Sequence, residues 1–492
     1  MRKDRLYALG TMAFCIWMSM TYFLFVHRPN AEAVRRRLGF DGKSSATTLT
    51  LTALSHRVDE FERRLKQTSD ENSQLLHALR EAVKESHKQE KRNDDDVKKA
   101  AAPLAPWPIE KNVVIPVLMF ACNRVTVSKA LENLLSIRKD KQKFPIIVSQ
   151  VRHFFYHFSR EISKNTTQPL NFHDFFKFPR VFNNFSFVQD CGHAETAQVI
   201  QSYGDEIQYI QQPDLSHIDV PKKEKRFQGY FKIARHYGWA LNQVFNVMNY
   251  EQVIIVEDDL LAAPDFYEYF EATLPILKAD KSLWCVSAWN DNGKGALIDK
   301  STPELLYRTD FFGGLGWMLT KELWSEIGPK WPKSYWDDWM RNPAQRKGRA
   351  CIRPEIPRTK TFGKDGVSNG LFFDKHLKFI ELNANPVDFV HLDLSYLLKQ
   401  NYDANQVQVL NKSPVVSMLD LKNRQVQKQE SVRVIYHTKD VFKKMARSLG
   451  IMDDFKSGVP RMAYKGVVST MYKGQRVYVA PNVNWKGYDP SW

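Results

Sequence analysis

The sequence predicts an α/β fold with a mostly parallel sheet, followed by a smaller second domain. Two observations carry this. Short apolar runs recur from Val113 onward, and amphipathic segments of helical period separate them. A third sets the scale: 492 residues with 43% hydrophobic content exceed one ordinary domain and supply enough apolar surface for two buried cores.

The elements are taken in chain order. Tyr7 to Val26 is uncharged and mostly apolar, preceded by Arg2, Lys3 and Arg5. It is long enough to span a bilayer and exceeds the roughly 7–15 residues of a cleavable signal core, so it reads as an uncleaved anchor. Basic residues flank both sides, and charge alone leaves its orientation open. The orientation follows from the later features, which all read as lumenal. A polar stem, 27–108, comes next. Leu51, Leu54, Val58, Phe61, Leu65, Thr68, Asn72, Leu75, Leu79 and Ala82 alternate spacings of three and four, which predicts a parallel coiled coil and a homodimeric stem; a solvated single helix is the bland alternative. Ala100 to Pro108 ends the helix.

In the expected catalytic region, 109–363, strands are predicted at Val113–Ala121, Phe144–Val148, Glu206–Ile210, Val253–Val256 and Leu283–Ala288. Helices are predicted at Val127–Arg138, Phe231–Val247 and Pro264–Lys278, the last with Pro264 in its first turn. Val151 to Val188 breaks the rhythm. It is crowded with Phe, His and Asn, lacks a clear period and carries glycosylation sequons at Asn165 and Asn184. The remainder, 364–492, has apolar clusters at Val432–Tyr436 and Val467–Met471 and reads as the smaller domain.

The formal charge of +16 is scattered, and no zinc-finger, homeodomain or basic-zipper pattern organises it, which argues against nucleic acid. It suits anionic headgroups or a nucleotide diphosphate equally. Cys15 falls in the apolar run. Cys122, Cys191, Cys285 and Cys351 lack the close spacing of a zinc site; an oxidising compartment would allow two disulfides in three pairings, and cytosol would leave buried thiols.

The most informative motif is Val253-Ile254-Ile255-Val256-Glu257-Asp258-Asp259, an apolar strand ending in three carboxylates. Open α/β sheets bind ligands at the carboxyl ends of strands. Three adjacent acids repel unless a cation compensates them, and carboxylate oxygens suit manganese or magnesium. A solvated strand end or a helix cap is the plain alternative.

Longer runs carry a resemblance. Phe227-Gln228-Gly229-Tyr230-Phe231-Lys232-Ile233-Ala234-Arg235-His236-Tyr237, Leu283 to Asn292, Tyr335-Trp336-Asp337-Asp338-Trp339-Met340-Arg341 and the stretches from Lys456 to Pro460 and Gly487 to Pro490 resemble the N-acetylglucosaminyltransferase I family over about Val113 to Trp492. The resemblance implies a GT-A-like, Rossmann-type sheet that binds nucleotide sugar, with a C-terminal α+β domain. It implies an inverting, Mn2+-dependent transferase in the Golgi membrane, moving GlcNAc from UDP-GlcNAc to the α1,3-linked mannose of a high-mannose N-glycan. By position it makes Asp259 the metal ligand, Glu257 and Asp258 donor contacts, and Arg124 with Asp190 the uridine-reading pair. His236 and Ser368 are further donor contacts, and Cys122–Cys191 and Cys285–Cys351 the disulfides. Asp337 resembles the general base, with Asp338 in support, and Trp336 and Trp339 beside it are expected to desolvate it; exposed acids at a helix start are the plain alternative. Trp336 is expected at the substrate, as is Leu315 in the glycine loop Gly313–Trp317, which reads as a mobile loop or simply as a turn.

The interval 151–188 departs from the family. Its repeated junction, Gln150-Val151 and Val188-Gln189, resembles that of a translated intron, and it separates Asp190 and Cys191 from the strand before them. Two other readings stand beside the first: a transferase acting on O-linked mannose, and an inactive Golgi scaffold.

Overall fold

The computed structural model describes residues 113–152, 193–364, 366, 370, 372–423 and 431–492, together with Asp59, Glu60, Arg63, Arg64, Lys66, Gln67, Asp70 and Glu81 of the stem. The chain divides into two units, 1–102 and 103–492. In the first, the described positions are helical and exposed, and Arg64 pairs with Glu60 one turn earlier at 2.8 Å. The expected anchor, the seam of the expected coiled coil and nearly all of 151–188 lie outside the described residues. Among the described residues no helix is long and apolar enough to cross a membrane.

The second unit is mixed α/β. Its main sheet contains β1 (Val117–Ala121), β2 (Ile146–Val151), β3 (Gln208–Gln212), β4 (Gln252–Glu257), β6 (Leu283–Ser287), β7 (Leu306–Thr309), β8 (Trp317–Thr320) and β9 (Ala350–Pro354). The spatial order is β3-β2-β1-β4-β8-β6-β9-β7. Strands β3, β2, β1 and β4 pair in parallel; β8 runs against both β4 and β6; β9 is parallel to β6 and antiparallel to β7. A small ribbon of β5 (Leu260–Ala262) and β10 (Thr359–Thr361) stands apart.

The five predicted strands all form, displaced by a few residues. Their pleat builds a core on each face, as alternation requires. Val117 and Met119 of β1 and Ile254 and Val256 of β4 face α1 (Val127–Ile137) and α4 (Phe266–Ala279). Leu118 and Phe120, with Val253 and Ile255, face the other way, onto α3 (Gln228–Asn242), which follows α2 (Ala194–Gln201). The predicted start of α4 is corrected. Pro264 precedes the helix, whose first residue is Phe266 after Asp265, and the proline inside it is Pro275. Strands β7, β8 and β9 escaped prediction because they are four or five residues long and their pairing comes from chain far away in sequence.

The C-terminal region carries its own sheet, β11 (Ser431–Tyr436), β15 (Gln475–Pro481) and β14 (Val468–Tyr472), with β15 central. Its core includes Val432, Val434, Phe442, Val477 and Val479, and it also takes in Leu297 and Phe311 from the preceding region.

Candidate functional site

Strand β1 leads to β2 on one side of the sheet, while β4 lies on its other side. The carboxyl ends of β1 and β4 therefore form a switch point, where the flanking connections diverge and leave a crevice. Cys122-Asn123-Arg124 leaves β1 there, and Asp258-Asp259 leaves β4. This topology, rather than sequence proximity, brings Arg124 to the acids. Its Nη1 donates to Asp258 Oδ1 at 3.0 Å and to Asp259 Oδ2 at 2.5 Å. The other oxygen of Asp258 accepts from the backbone N–H of Cys122 at 3.0 Å.

Pleating explains the remaining acid. Glu257 continues the Val253, Ile255 face and so points at α3, where the Tyr237 hydroxyl donates to its Oε1 at 2.8 Å. Tyr237 is held flat between Phe120, at 3.7 Å, and Trp336, at 4.5 Å between ring centres. Ser149 lies on the same face of β2, and its hydroxyl meets His236 Nε2 at 2.8 Å. These groups surround a cleft of about 880 Å³ whose walls include Arg124, His236, Tyr237, Glu257, Asp258, Asp259, Leu315 and Gly363.

The electrostatics show a shortage of positive charge. Burial, reinforced by Asp259, raises the Glu257 carboxyl to about 7. Burial raises Asp258 to about 6 against the opposing pull of Arg124, and it raises Asp259 as well. For Arg124, burial disfavours the charge, but Asp258 and Asp259 outweigh it and hold the guanidinium more firmly protonated than usual. One arginine thus faces three buried acids, an arrangement that a hard cation would relieve. Among the described residues no three His, Cys, Asp or Glu side chains converge as a ready-made metal cage. Asp259 as a single protein ligand fits a cation held largely by phosphate oxygens and water. Burial lowers His236 to about 3, which favours the neutral imidazole as a hydrogen-bonding wall of the cleft.

Gly363 sets the floor beneath Asp259. A Cβ built there would stand 2.2 Å from Asp259 Oδ2 and 2.7 Å from its Cβ, closer than atoms can approach. We expect Gly363→Ala to displace the Asp259 carboxylate. If a nucleotide sugar binds through a metal on Asp259, the role the resemblance implies, its affinity by calorimetry should weaken about tenfold or more while the fold persists.

Asp337 and Asp338 begin a short helix, α6 (Trp336–Arg341), which follows α5 (Lys321–Ile327). Tyr335 before α6 is left-handed at φ 50° and stacks on Tyr230 of the cleft wall at 4.9 Å; strain of this kind concentrates at functional sites. The expected desolvation of Asp337 by Trp336 and Trp339 is corrected. Its side chain is 41% exposed and meets Arg341 Nη1 at 2.7 Å, while Trp336 packs inward against Tyr237, Trp317 and Trp331. Asp338 is bound twice, by Arg341 at 2.8 Å and by Lys456 at 3.0 Å. Burial works against its charge, but these two cations hold it below the usual carboxylate range. The negative charge of Asp337 helps raise the phenols of Tyr230 and Tyr237, placing it beside the cleft that both line.

Cys285 and Cys351 form a disulfide across the paired strands β6 and β9. Cys122 is disulfide-bonded; Cys191, its expected partner, lies outside the described residues, as do Asp190 and Ser368. The glycine loop is tightly packed. Gly316 adopts φ +84°, and a Cβ there would strike Thr359 at 2.6 Å, which supports the turn reading. Tyr237, Tyr230, Arg341, Lys456 and Gly363 were not singled out from sequence. Tyr237 follows His236 in the sequence, but its bond to Glu257 depends on the facing of a helix over a strand.

Comparison with known proteins places this geometry. The chain is 42% identical over 282 residues to the alpha-1,3-mannosyl-glycoprotein 2-beta-N-acetylglucosaminyltransferase of Arabidopsis thaliana. That match covers 57% of this chain and 63% of the relative, so the chain spans somewhat under two thirds of the relative's length. Among solved structures, the mannosyltransferase PcManGT from Pyrobaculum calidifontis, in complex with GDP-Man and Mn2+, is 13% identical over 62% of this chain and 78% of that chain, with a TM-score of 0.31. An active-site mutant of LgtC is 11% identical over 44% of this chain and 63% of its own, with a TM-score of 0.22; likenesses this weak carry no functional information. The model of the GNT-I family matches residues 9–154 and 176–492. It therefore extends through the stem, and it leaves unmatched only 155–175 of the atypical interval. The chain belongs to the GNT-I family.

Proposed function

We propose that the protein transfers GlcNAc from UDP-GlcNAc, with inversion, onto the O2 hydroxyl of the α1,3-linked mannose of a high-mannose N-glycan, anchored in the Golgi membrane through Tyr7–Val26 and dimeric through its stem. The reading rests on family membership together with one observation: the carboxylates of Asp258 and Asp259 meet Arg124 at the carboxyl end of β4, in a cleft of about 880 Å³ that Glu257 also lines.

Asp259 would hold Mn2+, which when bound would neutralise the charge of the diphosphate. Arg124, now paired to Asp259, must release it for that purpose; with Asp190 it would then read the uracil. Glu257, positioned by Tyr237, and Asp258, positioned by the Cys122 amide, would meet the sugar and ribose hydroxyls. His236, Leu315 and Ser368 would complete the donor pocket, and Trp336 supports it from behind through Tyr237. Asp337 would accept the proton of the mannose hydroxyl as its oxygen bonds to the anomeric carbon. The carbon–oxygen bond to UDP breaks on the opposite face, its electron pair leaves with the diphosphate, and the proton remains on Asp337.

The test measures GlcNAc transfer to a five-mannose N-glycan and to an O-mannosyl peptide, by the detergent-solubilised full chain and by the chain lacking 155–175, with Mn2+ or with chelator. We expect transfer to the N-glycan that chelator abolishes. Preference for the peptide would reassign the acceptor. Activity only after deletion would make this chain an inactive isoform, and inactivity of both forms would favour a scaffold.

A further inference from the structure

Away from the cleft, the outer edge of the main sheet meets the C-terminal sheet around a cavity of about 100 Å³, lined by Tyr307, Arg308, Arg353, Tyr402, Tyr464 and Ser469 among others. Arg353 belongs to β9 and is 2% exposed. Its Nη1 donates to the Pro354 carbonyl at 3.1 Å, its Nε has no acceptor, and its guanidinium lies 4.3 Å from the centre of the Tyr307 ring.

The other cations nearby each reach a carboxylate. Arg308 pairs with Asp280 at 2.7 Å, Arg476 with Glu355 at 2.9 Å, and Lys399 and Lys465 share Asp403. Among the described residues no carboxylate lies within ion-pair distance of Arg353. A guanidinium cannot shed its proton to escape burial, and a buried charge without a partner is strongly unfavourable. The Tyr307 ring offers partial relief only. The Nε of Arg308 is a second buried donor without an acceptor beside the same cavity.

The shortage is therefore of negative charge and of acceptors, and the space is well below the roughly 300 Å³ at which pockets for organic ligands begin. It has room for an ion and a few waters. We propose that this cavity is a binding site for a small monovalent anion of halide size, held by Arg353. The buried guanidinium without a carboxylate sets the sign of the charge, and the volume sets the size. Because the lining comes from β7, β9, the helix Lys399–Lys412 and β14, the anion would secure the C-terminal sheet against the main one.

Thermal unfolding of the full chain at fixed ionic strength, in bromide or chloride against gluconate, tests this. The native protein should melt about 1–3 °C higher in halide, because a ligand bound only by the folded state stabilises it. Arg353→Met, similar in length and uncharged, should melt at the same temperature in both. Crystals grown in bromide should show an anomalous peak in the cavity, a measurement that stands even if the variant fails to fold. Equal halide responses in the two proteins, or water alone in the bromide crystals, would overturn the assignment.

Discussion

Asp337→Asn should lower the rate of GlcNAc transfer by about 10²–10⁴-fold, the range a lost general base commands, while donor affinity and melting temperature stay close to native. The structure explains the separation. The Asp337 side chain is 41% exposed, so exchanging it disturbs little packing, and an asparagine carbonyl can still accept from Arg341. What disappears is the capacity to take a proton. Asp338 is the internal control. Arg341 and Lys456 hold it, and those cations stabilise its ionised form and weaken it as a base. Asp338→Asn should therefore cost clearly less rate than Asp337→Asn. Comparable losses in single-turnover assays would mean that the pair acts as a unit or that the base lies elsewhere.

Asp265→Ala should destabilise the folded state by about 3–5 kcal/mol, the cost of stranding one partner of a buried ion pair. Asp265 and Arg358 are both completely buried. Asp265 Oδ2 accepts from Arg358 Nη2 at 3.0 Å, from Asn383 Nδ2 at 3.0 Å and from the Val387 amide at 3.2 Å. One carboxylate oxygen thus ties the start of α4 to the approach to β10 and to the chain beyond it. Alanine leaves the buried guanidinium with neutral partners only, the Ile356 and Pro303 carbonyls and the Phe389 ring, and removes the acceptor of the Val387 amide. Denaturant unfolding measures the loss, and a change below about 1 kcal/mol, the worth of an exposed pair, would show that water reaches the site. The double variant Asp265→Leu, Arg358→Met should recover part of the loss, because replacing both charges removes the stranded one.

Much of the fold was legible because it rests on local pattern. The runs read at Val113–Ala121 and Val253–Val256 are apolar and bounded, and Val127–Arg138 has the helical period, so each declares itself without its neighbours. Tertiary context decided the order of the sheet and the placement of β7, β8 and β9. The site divides in the same way. Glu257 to Asp259 were conspicuous as three consecutive acids that must be compensated, and Asp337 as part of a long family-like run. Trp336 was expected at the substrate and as a desolvating neighbour of Asp337, yet its ring turns inward onto Tyr237 and leaves the carboxylate half open.

By itself the sequence determined which residue types were available at each strand end, the apolar runs that had to be buried, and the family resemblance. The tertiary structure alone decided that Arg124 bridges Asp258 and Asp259, that Tyr237 holds Glu257, that Gly363 must lack a side chain, and that Arg353 is buried without an acid. The physical reason is common to all four. Each is a relation between groups brought together by strand order and by the facing of a helix over a sheet, and hydrogen bonds and charges act over a few ångströms of space, whatever their separation along the chain.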